Sequence, residues 1–348
     1  MKKYLIFLIA GAVLMGCVNS TKPEKVIHAF YQWKAEADFD HPEIAILDTF
    51  NVKKVYFRFF DVEHSPTLGN IPTSKTNRRD GYRYYHEKDL EYELIPTVFI
   101  KNEVFLQSSK ADIDILVSNV NHLIKKYCAE GFSDFKTPTE IQIDCDWTIR
   151  SKANYFYFLE EFKKVSQKNL SCTLRLYPYK YRTKMGIPPV DKVVLMCYNL
   201  LPPLENPKRN SILEPDELRA YLTVDEPYPI HLDVALPVFQ WAFHYRYDSF
   251  KGFTTTTKES LISFADRKSD LWWEVKKDTS INEVYYRTGD RIKFETVSYT
   301  DLMKSVTLLK KNVKFPKETT VILFDLDTTL FHEYSKQSID KLLHSFTE

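Results

Sequence analysis

Eight short apolar runs, rich in β-branched and aromatic residues, punctuate the chain at 26–33, 55–62, 94–101, 140–147, 170–177, 192–199, 230–241 and 320–327. Runs of this length and composition read as strands. Between several of them lie amphipathic stretches. In 111–129, Ile113, Leu116, Val117, Val120, Leu123, Ile124 and Tyr127 follow the 3.6-residue period. In 151–167, Tyr155, Phe158, Leu159 and Phe162 do the same, with Ser151 placed to cap. Weaker helices are predicted at 43–50, 214–222 and 299–309, and a terminal one at 338–346. Strand–helix alternation requires parallel strands joined by crossovers, and eight such strands are the number that closes a (β/α)8 barrel of the TIM type. An open doubly wound sheet is the rival. Against it, no glycine-rich phosphate loop follows the first strand, and the whole chain holds 8 glycines. The Pro-rich piece 201–207 reads as a loop after strand six. The stretch 245–297 fits neither period and is expected to be an irregular insertion between strands seven and eight.

The first residues are of another kind. Met1-Lys2-Lys3 precedes an apolar run, 4–15, that ends in Leu14-Met15-Gly16-Cys17. Two charges, a dozen or so apolar residues and a small residue before a cysteine predict a signal peptide over 1–16. The tetrapeptide resembles a lipobox, which implies a lipid on Cys17, a tether over 17–25 and one barrel domain over 26–348. A cell-envelope protein held to a bacterial membrane is expected, the outer rather than the inner. A net charge of +1 with no long basic run gives no footprint for a nucleic-acid partner. Cys128, Cys145, Cys172 and Cys197 lack the paired spacing of a zinc site and read as buried thiols. His28, His231 and His244 lack ligand spacing too, so no metal and no cofactor is expected.

Strand four carries the most chemistry. Ile141, Ile143, Cys145 and Trp147 alternate with Gln142, Asp144, Asp146 and Thr148. Period-two alternation sends the two sets to opposite faces. The apolar set suits the outer helices. The polar set would point into the barrel, with Asp146 and Thr148 nearest the C-terminal rim where such barrels do chemistry. Two close carboxyls share a proton readily, a useful property for acid–base work. The alternative is a structural pair bonded to backbone and to Arg175.

Ile143-Asp-Cys-Asp-Trp147 resembles the fourth-strand signature of chitinase-like barrels, glycoside hydrolase family 18 and its relatives, written DxxDxDxE. Asp144 and Asp146 match its two central aspartates. Met196-Cys-Tyr198-Asn199 resembles that family's Met-x-Tyr-Asp on strand six. Ile141 stands at the first aspartate position, and Thr148 at the position of the acidic glutamate. A threonine hydroxyl cannot protonate a leaving group, so the family's substrate-assisted mechanism does not carry over. Cys172-Thr-Leu-Arg-Leu176 and Gly186-Ile-Pro-Pro-Val-Asp191 also resemble a group of bacterial lipoproteins.

Other strand ends complete the candidate site. Asp61 and Glu63 close strand two, and Trp33, Arg175, Tyr177, Tyr198, Asn199 and Trp241 are expected to contact a sugar. If the barrel hydrolyses a glycan, Asp146 is the expected acid or polariser, Asp144 tunes it, and Asp61 or Glu63 is the second carboxylate. A non-catalytic glycan-binding barrel and an envelope lipoprotein without a small ligand are the alternatives. Val321-Ile-Leu-Phe-Asp325-Leu-Asp327-Thr-Thr-Leu330 matches the first motif of haloacid-dehalogenase-type phosphatases. Too few residues follow Leu330 for the remaining strands of that fold, so Asp325 and Asp327 read as a cap or rim pair on strand eight.

Overall fold

The computed structural model describes residues 22–34, 36–37, 41–78, 92–131, 137–224 and 226–348. Cys17 and the expected signal peptide lie outside the described residues. The apolar runs form eight parallel strands: β1 (Lys25–Gln32), β2 (Lys54–Ser65), β3 (Glu93–Ile100), β4 (Glu140–Asp144), β5 (Asn169–Leu174), β6 (Lys192–Met196), β7 (His231–Pro237) and β8 (Glu318–Phe324). Each pairs with its neighbour in sequence, and β1 pairs with both β2 and β8. That last pairing closes the (β/α)8 barrel.

The crossovers include α1 (His41–Thr49), α2 (Lys110–Gly131), α3 (Lys152–Ser166), α4 (Pro215–Leu222) and α5 (Tyr299–Asn312), with α6 (Lys336–His344) after β8. Each overlaps its sequence-predicted counterpart to within three residues at either end. Tyr155, Phe158, Leu159 and Phe162 of α3 are all buried, as their spacing requires. Ser151 stands at the start of α3 but does not cap it. Its hydroxyl donates to Asn102 Oδ1 at 2.5 Å and accepts from the Thr148 amide at 2.9 Å, tying down the β4–α3 turn. Among the described residues, β2 leads into an antiparallel strand, Gly69–Thr73, laid along its own end. No described helix is long and apolar enough to cross a membrane.

The barrel interior is polar along β4. At its N-terminal end Glu140 accepts from Ser171 Oγ at 2.6 Å and pairs with Lys192 at 2.8 Å and Lys54 at 3.4 Å. Lys192 also reaches Asp233 at 3.2 Å and Tyr56 Oη at 3.1 Å. One rung higher, Tyr31 donates to Gln142 Oε1 at 2.8 Å. Buried charges persist only where opposite charges and hydrogen bonds satisfy them, and this floor meets that condition. Cys145, Cys172 and Cys197 are buried free thiols, and Cys128 is half-buried. His28 bonds the Phe50 carbonyl, while His231 and His244 bond Asp233 and Asp290.

The expected irregular insertion is in fact ordered. Residues from Trp241 to Glu295 form a five-stranded antiparallel sheet, in the order Ser249–Thr254, Trp241–Arg246, Arg291–Glu295, Trp272–Val275, Ala265–Arg267. It has its own core, which includes Leu261, Phe264, Trp273, Tyr286 and Ile292. Its strands are short and carry charges between their apolar residues, so no run is long enough to show a period. A fully buried ion pair, Lys293–Glu295 at 2.6 Å, fastens it to the barrel. Lys293 donates to the Asn206 carbonyl at 2.7 Å, and Glu295 accepts from the Ser211 amide at 3.1 Å. Trp272 Nε1 donates to the Pro207 carbonyl at 2.7 Å. The loop after β6 is thereby strapped to the insertion.

Candidate functional site

At the C-terminal rim, β4 ends on Asp144, which is buried and accepts from Thr173 Oγ1 at 2.5 Å. Burial, reinforced by the charge of Asp146, pushes its carboxyl up to about 7. Asp144 thus lies inside, the direction that alternation predicts. Asp146 differs. The strand stops at Asp144, so the pleat no longer governs the next residues, and the Asp146 side chain is 50% exposed at the lip. Arg175 holds both its oxygens, Nε at 2.5 Å and Nη2 at 3.0 Å. Arg175 also extends Nη1 to the Tyr198 carbonyl at 3.5 Å. Asp146 thus stands in the ion pair with Arg175 that the sequence allowed as the alternative. Thr148 is exposed, its hydroxyl 3.3 Å from that of Ser151. Trp147 is buried outward, stacked on Tyr155 of α3 at 6.1 Å.

Asp61 is also bidentately held, by Arg58. A bulge between Arg58 and Phe60 shifts the register of β2, which brings residues three apart onto one side. Arg58 in addition donates to the Trp33 carbonyl at 3.2 Å and lies 5.6 Å from the Trp33 ring centre. Glu63 pairs with Lys101 at 2.8 Å, and that hydrogen bond holds its carboxyl below the ordinary range. Just past β8, Asp327 pairs with Lys34 at 2.8 Å and accepts from the Thr329 amide at 2.7 Å, which fastens the turn that follows the strand. Burial and the adjacent Asp327 push the Asp325 carboxyl up to about 6.

The expected aromatic residues divide into two groups. Trp33, Tyr198 and Trp241 belong to one connected set, joined by Phe324 and Phe239. Ring centres are 5.7 Å apart for Trp33–Phe324, 5.0 Å for Phe324–Tyr198, 5.4 Å for Phe324–Phe239 and 5.3 Å for Phe239–Trp241. Trp241 begins the insertion rather than ending β7, so the insertion contributes one end of this set. Tyr198 is buried with its hydroxyl unbonded, and Asn199 Oδ1 is likewise buried without a partner among the described residues. Asn199 adopts φ 54°, a left-handed conformation that asparagine tolerates better than most residues.

Tyr177 stands apart. It lies in a short helix, Leu176–Lys180, beyond the end of β5, with its ring 4.6 Å from that of Tyr181. With Arg175, Asp146, Ile149 and Lys184 it lines a cavity of about 370 Å³ beside the mouth. Another cavity, about 580 Å³, lies among Leu94, Pro96, Ile124 and Ile141, away from the rim carboxylates. Thr173, Phe239 and Phe324 were not picked out from the sequence, although both phenylalanines lie in strand-like runs. Among the described residues no group of three His, Cys, Asp or Glu is arranged to hold a metal ion.

No family model matches the chain, and no curated protein matches it. The fold has solved counterparts. The Bacillus cereus spore cortex-lytic enzyme SleL is similar over 93% of this chain and 75% of its own, with a TM-score of 0.51 and 13% identity. The chitinase-like agglutinin of Robinia pseudoacacia covers 92% of this chain and 99% of its own, with a TM-score of 0.46 and 10% identity. A GH113 β-1,4-mannanase covers 94% and 98%, with a TM-score of 0.41 and 9% identity. At such identities the likeness is one of fold alone: this chain shares the (β/α)8 barrel architecture.

Proposed function

We propose that this protein is a glycan-binding (β/α)8 lipoprotein that takes a sugar into the C-terminal mouth of its barrel. The observation that carries the reading is the connected aromatic set from Trp33 to Trp241, beside the buried carboxyl of Asp144 and the unbonded Tyr198 hydroxyl. Sugars present apolar faces and hydroxyl edges, and binding sites for them combine rings with a few fixed polar groups. The fold shared with SleL is compatible with this use, and the lipobox-like tetrapeptide at Cys17 supports a membrane anchor.

The same geometry favours binding over turnover. Thr148 has no acidic proton to give, and guanidinium groups occupy both oxygens of Asp146 and of Asp61. One observation supports hydrolysis as the second reading. Asp144 holds a proton up to about pH 7, as a general acid at neutral pH must. The acid role thus passes from Asp146 to Asp144.

Calorimetric titration against a broad oligosaccharide panel, together with an assay for released reducing ends, separates these readings. Trp241→Ala is expected to weaken binding at least tenfold, with no product from the native chain. Product release abolished by Asp144→Asn would establish the hydrolytic reading instead. Glycan affinity indifferent to both substitutions removes the mouth as the site.

A further inference from the structure

The cavity of about 370 Å³ beside the mouth has a composition the mouth lacks. Its floor and walls are apolar, from Trp147, Ile149, Pro178 and Met185, and Tyr177 presents a ring that is 44% exposed. Its charges are unequal. Among the described residues Asp146 is the sole carboxylate in the lining, and Arg175 already takes both its oxygens. Lys184 remains, exposed and paired with no carboxylate among the described residues. Beside it Lys152 donates to the Lys184 carbonyl at 3.3 Å, a contact that leaves its charge uncancelled.

The Asp146–Arg175 pair is shared ground. It forms one wall of this cavity, and Arg175 reaches the Tyr198 carbonyl on the side of the mouth. A chain of sugars seated in the mouth would pass its next unit over this pair. On the side of the mouth the nearest carboxyl is that of Asp144, buried and bonded to Thr173. Resting on the glycan reading above, we infer that the cavity is a second subsite, and that it selects an anionic sugar unit. The unit's apolar face would lie on Tyr177, and its acidic group would meet Lys184. An ion-assisted hydrogen bond of this kind is strong where an aromatic wall shields it, and salt weakens it.

The test takes the neutral backbone that binds best in the panel and compares three forms of it: unmodified, oxidised at C6 to the uronic acid, and sulfated. The native chain is expected to prefer an anionic form by about tenfold in Kd at low salt, the scale of one charge-assisted contact. The preference should shrink as salt is added. Lys184→Gln should bring the ratio of anionic to neutral Kd close to one, whereas Lys184→Arg should retain it. The carboxylated and sulfated arms identify which anion is read. Equal Kd for all three forms in the native chain, with binding still sensitive to Trp241→Ala, overturns the subsite and leaves the mouth standing. A preference that survives Lys184→Gln unchanged also overturns it. Failure of every backbone to bind overturns both.

Discussion

Asp144 shows how one side chain can set the pH response of a barrel. Its carboxyl has an ordinary value of 3.8 and titrates at about 7 in the folded chain. Below about pH 4 it is protonated in both states and costs nothing. As pH rises from 4 to 7 the unfolded chain ionises first, so folding loses free energy, and above 7 the loss is constant. Each pH unit of displacement is worth about 1.4 kcal/mol. Asp144→Asn should therefore melt higher than the native chain at pH 8, by the equivalent of up to a few kcal/mol. The advantage should disappear near pH 4, because the amide oxygen of the substituted side chain can still accept from Thr173. Thermal melts across that range check it, and a gap independent of pH contradicts the buried, proton-holding environment. The inward direction of Asp144 follows from alternation alone. The ion pairs of Asp146 and Asp61 do not, because one depends on where β4 stops and the other on a bulge in β2.

At the scale of elements, the strap between the insertion and the loop after β6 is the most exacting feature. Lys293 and Glu295 are fully buried, and each is satisfied largely by the other and by that loop. Lys293→Met leaves a carboxylate stranded, at a cost of about 3–5 kcal/mol, whereas pairing it with Glu295→Leu should recover most of the loss. Urea unfolding of the single and double variants measures the difference. If both variants lose equally, packing rather than charge holds the insertion. The eight barrel strands and six of their helices were legible because burial on both faces makes apolar runs, and burial on one face makes a 3.6-residue stripe. The insertion was not, since Ala265–Arg267 and Trp272–Val275 are too short to display any period and owe their pairing to partners distant in sequence. For the same reason Tyr177 and Trp241 looked like strand ends, although one sits in a helical turn and the other opens the insertion.

At the scale of the whole molecule, a proposed anchor and a proposed site divide the labour: a lipid at Cys17 fixes where the protein works, and the rim decides on what. Cys17→Ser should move the protein from the membrane pellet to the soluble fraction and leave glycan affinity in detergent unchanged, as fractionation and titration would show. An unaltered distribution argues against the lipid. The salt-bridged floor of Lys54, Glu140, Lys192 and Asp233 has its own bearing on traffic. Because ions cross-link the far end of the cylinder, nothing can be threaded through it. Whatever enters must leave by the door it came in, so a polymer would be gripped at a tip or across its flank, and release would always compete with rebinding.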